Sequence, residues 1–211
     1  MKNEWLDGRL QTNIAAYFIV WDDIQISATR TSDSLPFTTN AGDAESMGIE
    51  AELLAWPTDA LQLGFNITVA DSEIVSLDQE DAITSGAVKG ASLAAPDFQA
   101  SGFAQYNWDL ANGQNVYARV DVQYIGEYAN GMPNIPGSAT QAPNPNFEEI
   151  PSYTNVNAQL GWESERMTVS LYGENILNND EYRTINPANS TTHRYRTLRP
   201  RTFGLRLDWK L

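Results

Sequence analysis

The sequence TFGLRLDWKL, residues 202–211, decides the fold class because apolar and polar side chains alternate along almost its whole length. Phe203, Leu205, Leu207, Trp209 and Leu211 form the apolar set. Since successive side chains of a β-strand point to opposite faces, this period of two predicts a strand with one apolar and one polar face. The same alternation recurs near residues 10–20, 49–55, 61–69, 98–108, 116–124, 156–162 and 167–172. The sequence therefore predicts an all-β chain of about eight strands with no convincing helix.

The two faces of the predicted sheet differ in charge. The polar face carries Glu50, Glu52, Arg119, Asp121, Arg206 and Asp208. The other face has almost no charge along its middle, so it has to contact either lipid or a second sheet. Periodicity alone does not distinguish a membrane barrel from a soluble sandwich.

The lengths of the connections favour the barrel. Short turns near residues 57–60, 111–113 and 163–166 alternate strictly with long polar loops near 31–43, 72–96, 129–151 and 177–200. In an antiparallel up-and-down sheet, this places every short turn on one rim and every long loop on the other. Outer-membrane barrels have that layout, whereas long loops without structure are uncommon in compact soluble domains.

Tryptophan marks the rim of short turns. Five of the six tryptophans fall at nearly regular intervals, and all five belong to this rim: Trp5, Trp56, Trp108, Trp162 and Trp209. Tryptophan is enriched where hydrocarbon meets the polar layer of a membrane. We interpret the set as an aromatic girdle, with outer-membrane lipid as the partner of the apolar face.

Composition excludes several functions. The net charge of −14 argues against nucleic-acid binding, which needs a basic surface, and the absence of cysteine excludes thiolate chemistry. No run of about 18 apolar residues is present, so a helical membrane span is excluded. The single histidine, His193, lies in a predicted loop without a convincing catalytic triad. We therefore expect no enzyme activity, no cofactor and no metal site.

Four segments resemble one family. Residues 4–10 (EWLDGRL), 48–52 (GIEAE), 174–182 (ENILNNDEY) and 199–205 (RPRTFGL) are similar, in order and spacing, to the C-terminal part of the β-barrel of TonB-dependent outer-membrane receptors. The resemblance runs nearly end to end. One departure is the last residue, Leu211, because such barrels usually end on an aromatic side chain.

The resemblance implies a fragment of a transporter. Family barrels have about 22 strands around a plug domain. Residues 1–211 would then be the C-terminal part, with the plug domain and the N-terminal barrel strands absent. The implied function is uptake of a scarce small-molecule or glycan ligand, such as a ferric siderophore, cobalamin or an oligosaccharide. The implied location is the outer membrane of a Gram-negative bacterium, with short turns periplasmic and long loops extracellular. Energy would come from the TonB complex, acting through the absent N-terminal part.

Ligand contacts are expected in the long loops, where binding residues usually lie. Arginine could pair with an anionic ligand, and tyrosine could stack on a sugar or an aryl group. The candidates are Tyr128, Phe147, Tyr182, Arg183, His193, Arg194 and Tyr195.

Two other functions are compatible with the same patterns. The chain could form a self-contained eight-stranded outer-membrane barrel with a structural or adhesive role. It could also be a soluble all-β binding protein. As a fragment, it should instead leave two strands unpaired at the sheet edges, residues 10–26 and 202–211.

Overall fold

A computed structural model describes residues 2–29, 33, 35–189 and 192–210, and their regular secondary structure is antiparallel β-strand apart from one short helix. The elements in chain order are β1 (Lys2–Trp5), β2 (Leu10–Trp21), β3 (Gln25–Thr29), β4 (Pro36–Asn40), β5 (Asp43–Ala55), β6 (Leu61–Ser76), α1 (Gln79–Ser85), β7 (Phe98–Asp109), β8 (Asn115–Ile125), β9 (Tyr128–Ala129), β10 (Glu149–Ile150), β11 (Tyr153–Glu163), β12 (Met167–Glu174), β13 (Tyr182–Asn189), β14 (Thr192–Thr197) and β15 (Thr202–Trp209). The predicted fold class is confirmed.

One sheet of nine strands contains every predicted strand. Its order is β1-β2-β5-β6-β7-β8-β11-β12-β15, and each neighbour pairs antiparallel. The prediction of about eight strands missed β1, because its four residues are too few to show alternation. Strand β1 forms a hairpin with β2 through a turn in which Leu6, Asp7 and Gly8 all have positive φ.

The register builds two continuous faces, as predicted from the alternation. On the apolar face, Leu160 lies opposite Leu171, which lies opposite Leu205. These three side chains are 51%, 57% and 65% exposed, so no protein layer covers this part of the face. A contiguous row of exposed leucines is the kind of surface that contacts an apolar partner.

On the polar face, aromatic rings lie over glycines of the neighbouring strand. The direct cross-strand pairs are Tyr17 with Gly48, Phe103 with Gly64, Tyr117 with Gly161 and Tyr172 with Gly204. A Cβ added to any of these glycines would fall within 3.0 Å of the ring. The rings therefore occupy the space that a side chain would take, which shields the backbone and fixes the register.

The long loops are more ordered than predicted. Three contain hairpins (β3–β4, β9–β10 and β13–β14), and the loop after β6 contains α1. The Asp78 side chain accepts a hydrogen bond from the backbone N–H of Asp81 at 2.8 Å, and Gly86 ends α1 in the left-handed conformation. Both are ordinary helix caps, but seven residues without apolar periodicity gave too weak a signal for prediction. No helix among the described residues is long and apolar enough to cross a membrane.

The first three long loops pack together around a small core. Ile24, Ala41, Ala44, Ile74 and Ala87 are buried there, although they come from separate segments. Backbone hydrogen bonds join the second and third loops, from Asn134 N to Gly86 O at 3.1 Å and from Gly137 N to Ile83 O at 2.7 Å. We call residues 22–29, 33, 35–43, 74–97 and 126–150 the loop layer. It forms one packed body on the rim opposite the short turns.

The sheet is open, and one predicted edge requires correction. Among the described residues, β15 pairs with β12 alone, so residues 202–209 form an edge as predicted. Strand β1 covers residues 10–13 of β2, and residues 14–21 have no strand partner on that side in the described part of the chain. The prediction of residues 10–26 as a bare edge was therefore wrong for residues 10–13, which pair with β1, and for residues 25 and 26, which pair with β4.

Candidate ligand-binding site in the long loops

The seven predicted ligand residues lie in the third and fourth long loops. Tyr128 is in β9, Phe147 precedes β10, Tyr182 and Arg183 begin β13, and His193, Arg194 and Tyr195 are in β14. The side chains of His193 and Arg194 lie outside the described part of the structure. Of the other five, Tyr128 and Arg183 belong to one contact group, Tyr182 and Tyr195 form an aromatic pair, and Tyr128 and Phe147 line a cavity.

The first group is a clasp between the two loops. The hydroxyl of Tyr128 donates a hydrogen bond to the carbonyl of Arg183. The Arg183 Nε donates to the hydroxyl of Tyr153 at 3.1 Å, and its guanidinium lies 5.4 Å from the centre of that ring. Tyr153 is buried with Ile125 and Leu198. We call Tyr128, Tyr153 and Arg183 the tyrosine clasp, since they anchor the hairpin β13–β14 to the third loop.

Tyr182 and Tyr195 face each other at the start and end of that hairpin. Their ring centroids are 5.1 Å apart with the rings tilted by 58°, and the Tyr182 hydroxyl donates to the Glu149 carbonyl at 3.5 Å. Partial burial, reinforced by the negative charge of Glu148, raises the pKa of Tyr182. Burial likewise raises the pKa of Tyr128. Both phenols therefore stay neutral hydrogen-bond donors at physiological pH.

This arrangement changes what can be expected of Arg183. The sequence suggested that its guanidinium meets an anionic ligand, whereas the structure shows its Nε engaged with Tyr153. In this geometry Arg183 anchors the hairpin β13–β14 to Tyr128 and Tyr153. Ligand contact by Arg183 stays a prediction.

A cavity lies between residues 88–97 and 127–149, and we call it the loop cavity. Its volume is about 310 Å³, at the lower end of small-molecule sites. Tyr128 and Phe147 both line it. So do Asp97, Glu127 and Glu149, which sequence reasoning did not single out. Isolated loop carboxylates carry no spacing signal, and only the packing of two loops brings these three together.

Asn175 ties the two ends of the fourth loop. It is 3% exposed, its Nδ2 donates to the carbonyls of Asn179 and Arg199 at 2.8 and 3.0 Å, and its Oδ1 accepts from the N–H of Asn179 at 2.9 Å. Its own N–H donates to the Asn157 side chain at 2.9 Å. This explains in physical terms why asparagine stands at this position of the 174–182 segment.

The five tryptophans of the predicted girdle lie on the short-turn rim. Trp162 and Trp108 both stand opposite Val116, and Trp209 stands opposite Met167, so these three are on the apolar face. The indole N–H of Trp162 donates to Gln114 at 3.0 Å, and that of Trp5 donates to Thr12 at 3.1 Å. Trp56 follows β5 and lies outside its ladder. An apolar ring with a satisfied polar end suits a membrane interface, and the role as a girdle stays a prediction.

The tyrosine clasp gives a testable expectation about the hairpin. In a full-length protein that contains this chain, we expect Tyr128→Phe with Tyr153→Phe to accelerate amide hydrogen exchange in β13–β14. Two hydrogen bonds worth about 0.5–1.5 kcal/mol each would be lost, while both rings remain. The matched control is Tyr124→Phe, because the Tyr124 ring packs on Phe98 and its hydroxyl has no partner among the described residues. Equal exchange in the double variant and the control would contradict this role.

Comparison with known proteins agrees with the geometry. A family model described as TonB dependent receptor-like, beta-barrel, matches residues 1–176. The ferric yersiniabactin uptake receptor FyuA from Yersinia pestis is 18% identical with a TM-score of 0.69, over 98% of this chain and 28% of that receptor. The pyoverdine outer membrane receptor FpvA from Pseudomonas aeruginosa is 17% identical with a TM-score of 0.68, over 100% of this chain and 28% of that receptor.

A third solved structure shares this fold. The ferric-catecholate import receptor Fiu from Escherichia coli is 21% identical with a TM-score of 0.66, over 98% of this chain and 26% of that receptor. The chain thus spans about a quarter of the length of the solved receptors that it matches. The resemblance noted from the sequence motifs is confirmed, and the chain belongs to the family of TonB-dependent receptor β-barrels.

Proposed function

We propose that residues 1–211 are the C-terminal part of the β-barrel of a TonB-dependent receptor that imports a ferric siderophore across the outer membrane. The observation that carries this proposal is an open up-and-down sheet with a bare apolar face on one side and a packed loop layer on one rim. A wall of this kind becomes stable when lipid covers its apolar face and further strands pair with its edges. Membership of the TonB-dependent receptor family supports both the lipid contact of the apolar face and the pairing of further strands with the edges.

The rest of such a receptor would supply what this chain lacks. Because the chain spans about a quarter of the matched receptors, the remaining barrel strands and the plug domain would come from elsewhere in the parent sequence. The polar face would then contact the plug or a water-filled path. Contact with the TonB complex, and hence energy for uptake, would come through the N-terminal part.

A ferric siderophore is favoured over cobalamin or an oligosaccharide by the names of the matched structures. They are receptors for ferric yersiniabactin, ferric catecholates and ferripyoverdine. Within this proposal, the ligand contacts are Tyr128, Phe147, Tyr182, Arg183, His193, Arg194 and Tyr195. Transport of this kind makes and breaks no covalent bond in the ligand, so we propose no enzyme activity.

The self-contained barrel has less support. Among the described residues no hydrogen-bonded pairing joins β15 to β1 or β2, so the nine strands form an open wall. A soluble sandwich would need a second sheet over Leu160, Leu171 and Leu205, which are exposed.

Uptake of radiolabelled iron tests the proposed function. Iron-starved cells that carry the complete receptor would be given ⁵⁵Fe-loaded catecholate, hydroxamate and mixed-ligand siderophores, with ⁵⁷Co-cobalamin as the alternative cargo. We expect accumulation of at least one ferric siderophore, lost in cells without TonB and in cells whose receptor lacks residues 1–211 of this chain. Uptake of cobalamin alone, or uptake that does not depend on TonB, would contradict the proposal.

A further inference from the structure

The loop cavity has the size and the walls of a small-molecule site. Its volume of about 310 Å³ lies between two loop segments, and its walls include the aromatic side chains of Tyr128 and Phe147. Small residues, among them Gly90, Ala91 and Gly131, leave space between the rings. Sites for small molecules typically combine apolar and aromatic walls with a few polar groups.

Hydrogen bonds within the third loop hold the walls of the cavity in place. Asn130 donates to the Asn146 carbonyl at 2.8 Å and accepts from the N–H of Glu148 at 2.9 Å. Asn144 donates to the Met132 carbonyl at 3.1 Å, and its own carbonyl accepts from the N–H of Phe147 at 3.0 Å. The hydroxyl of Tyr128 is fixed by the tyrosine clasp. A preformed cavity reduces the ordering cost of binding.

The charged side chains that line the loop cavity are all acidic. Asp97, Glu127 and Glu149 line it, and none of their carboxylates forms an ion pair or a hydrogen bond with a described residue. Lys89 is adjacent in sequence but does not line the cavity, and neither does Arg183. Carboxylates that lack a protein cation leave a negative potential in a partly enclosed space, which attracts cations and repels anions.

We propose that the loop cavity binds a protonated amine or guanidinium group of a small molecule, with these carboxylates as charge partners and Tyr128 and Phe147 as aromatic walls. A cation close to a tyrosine or phenylalanine ring gains a further attraction from the ring face. The inference rests on the proposed function and adds a chemical class to it: the imported ligand carries a cationic group. The anionic ligand group suggested by the arginines would have to bind elsewhere, toward the hairpin β13–β14.

Three probes of one shape test the inference in the complete receptor in detergent micelles. 2-Phenylethylamine, 2-phenylethanol and 3-phenylpropionate share a phenyl ring on a two-carbon chain and differ in charge. We expect ligand-observed NMR titrations to show that the amine binds about tenfold or more tightly than the alcohol, with no binding of the carboxylate. This comparison uses the unchanged protein, so it does not depend on the folding of a variant.

Charge-removing variants then locate the site. Asp97→Asn with Glu127→Gln and Glu149→Gln should weaken binding of the amine by about tenfold or more. The matched control Glu165→Gln, in the exposed turn between β11 and β12, should leave the affinity unchanged. Single Glu127→Gln should have an intermediate effect. Equal affinity for the three probes, or an unaltered affinity in the triple variant, would overturn the inference.

Siderophore uptake by the same receptor separates this inference from the proposed function. Uptake of a ferric siderophore without any preference for the amine would reject the cationic class and keep the transport proposal. Binding of the amine at the cavity without uptake of any ferric siderophore would reject the transport proposal and keep the cavity as a cation site.

Discussion

Replacing Gly42 by alanine is expected to open the loop layer. Gly42 has φ of +76°, and an added Cβ would fall well within 3.0 Å of the Ser76 carbonyl oxygen and 2.9 Å from the Leu77 Cα. These are backbone atoms, so no side chain can move aside. A left-handed conformation costs an L-residue about 1–2 kcal/mol, and overpacking adds about 1–3 kcal/mol. The carbonyl of Gly42 also accepts a hydrogen bond from the Ile24 N–H at 2.8 Å.

Gly113→Ala is the matched control for this change. Gly113 has φ of +77°, but nothing lies within 4 Å of its added Cβ. It therefore tests the conformational cost without the steric one. In the complete receptor, we expect limited proteolysis and amide hydrogen exchange of residues 22–43 and 74–97 to accelerate strongly in Gly42→Ala. Gly113→Ala should leave both unchanged in these segments. Similar protection in the two variants would show that the loops are not packed as described.

The strands were predictable because their signal is local. An apolar–polar alternation over 10 residues, as in 202–211, can be recognised in the sequence alone. The register between strands then follows because one face of the sheet has to stay apolar. Strand β1 was missed because Lys2–Trp5 is held by pairing with β2, not by its own pattern. The alternation of short turns and long loops assigned the five tryptophans to one rim, because up-and-down order is preserved by short connections, and their role as a girdle stays a prediction.

The interior of the loops was not predictable in the same way. Ile24 and Ile74 lie 50 positions apart, and only the folded chain shows that both are buried in one cluster with Ala87. Residue type singled out Tyr128 and Phe147, which line the loop cavity, and their contact with a ligand stays a prediction. It did not suggest that Arg183 bonds Tyr153, nor that Asp97, Glu127 and Glu149 share one cavity. Such contacts depend on three-dimensional packing between loops, for which a single sequence contains no period.

Replacing Asn175 by alanine is expected to release the fourth long loop from the barrel wall. The amide makes three hydrogen bonds in a site that is 3% exposed, and together they join Asn179 to Arg199. Alanine would leave two carbonyls and one N–H without these partners, at about 1–3 kcal/mol for each buried group that stays unsatisfied. We therefore expect the loss in unfolding free energy to reach about 3 kcal/mol or more. Urea unfolding of the complete receptor in detergent would measure it.

Two further variants show whether the amide itself is responsible. Asn175→Asp keeps an acceptor for the Asn179 N–H but loses both donors and places a negative charge against two carbonyls, so it should be at least as damaging as alanine. Asn178→Ala, in the same segment and also at a positive φ (53°, against 47° for Asn175), removes one exposed bond of 3.3 Å from the Arg201 N–H and should destabilise the protein clearly less than Asn175→Ala. Because Asn175 closes the base of the hairpin that contains Tyr182, Arg183 and Tyr195, its loss should also weaken the tyrosine clasp. Hydrogen exchange in β13–β14 would then rise in Asn175→Ala as it does when Tyr128 and Tyr153 are changed, and a stable hairpin in that variant would contradict the coupling.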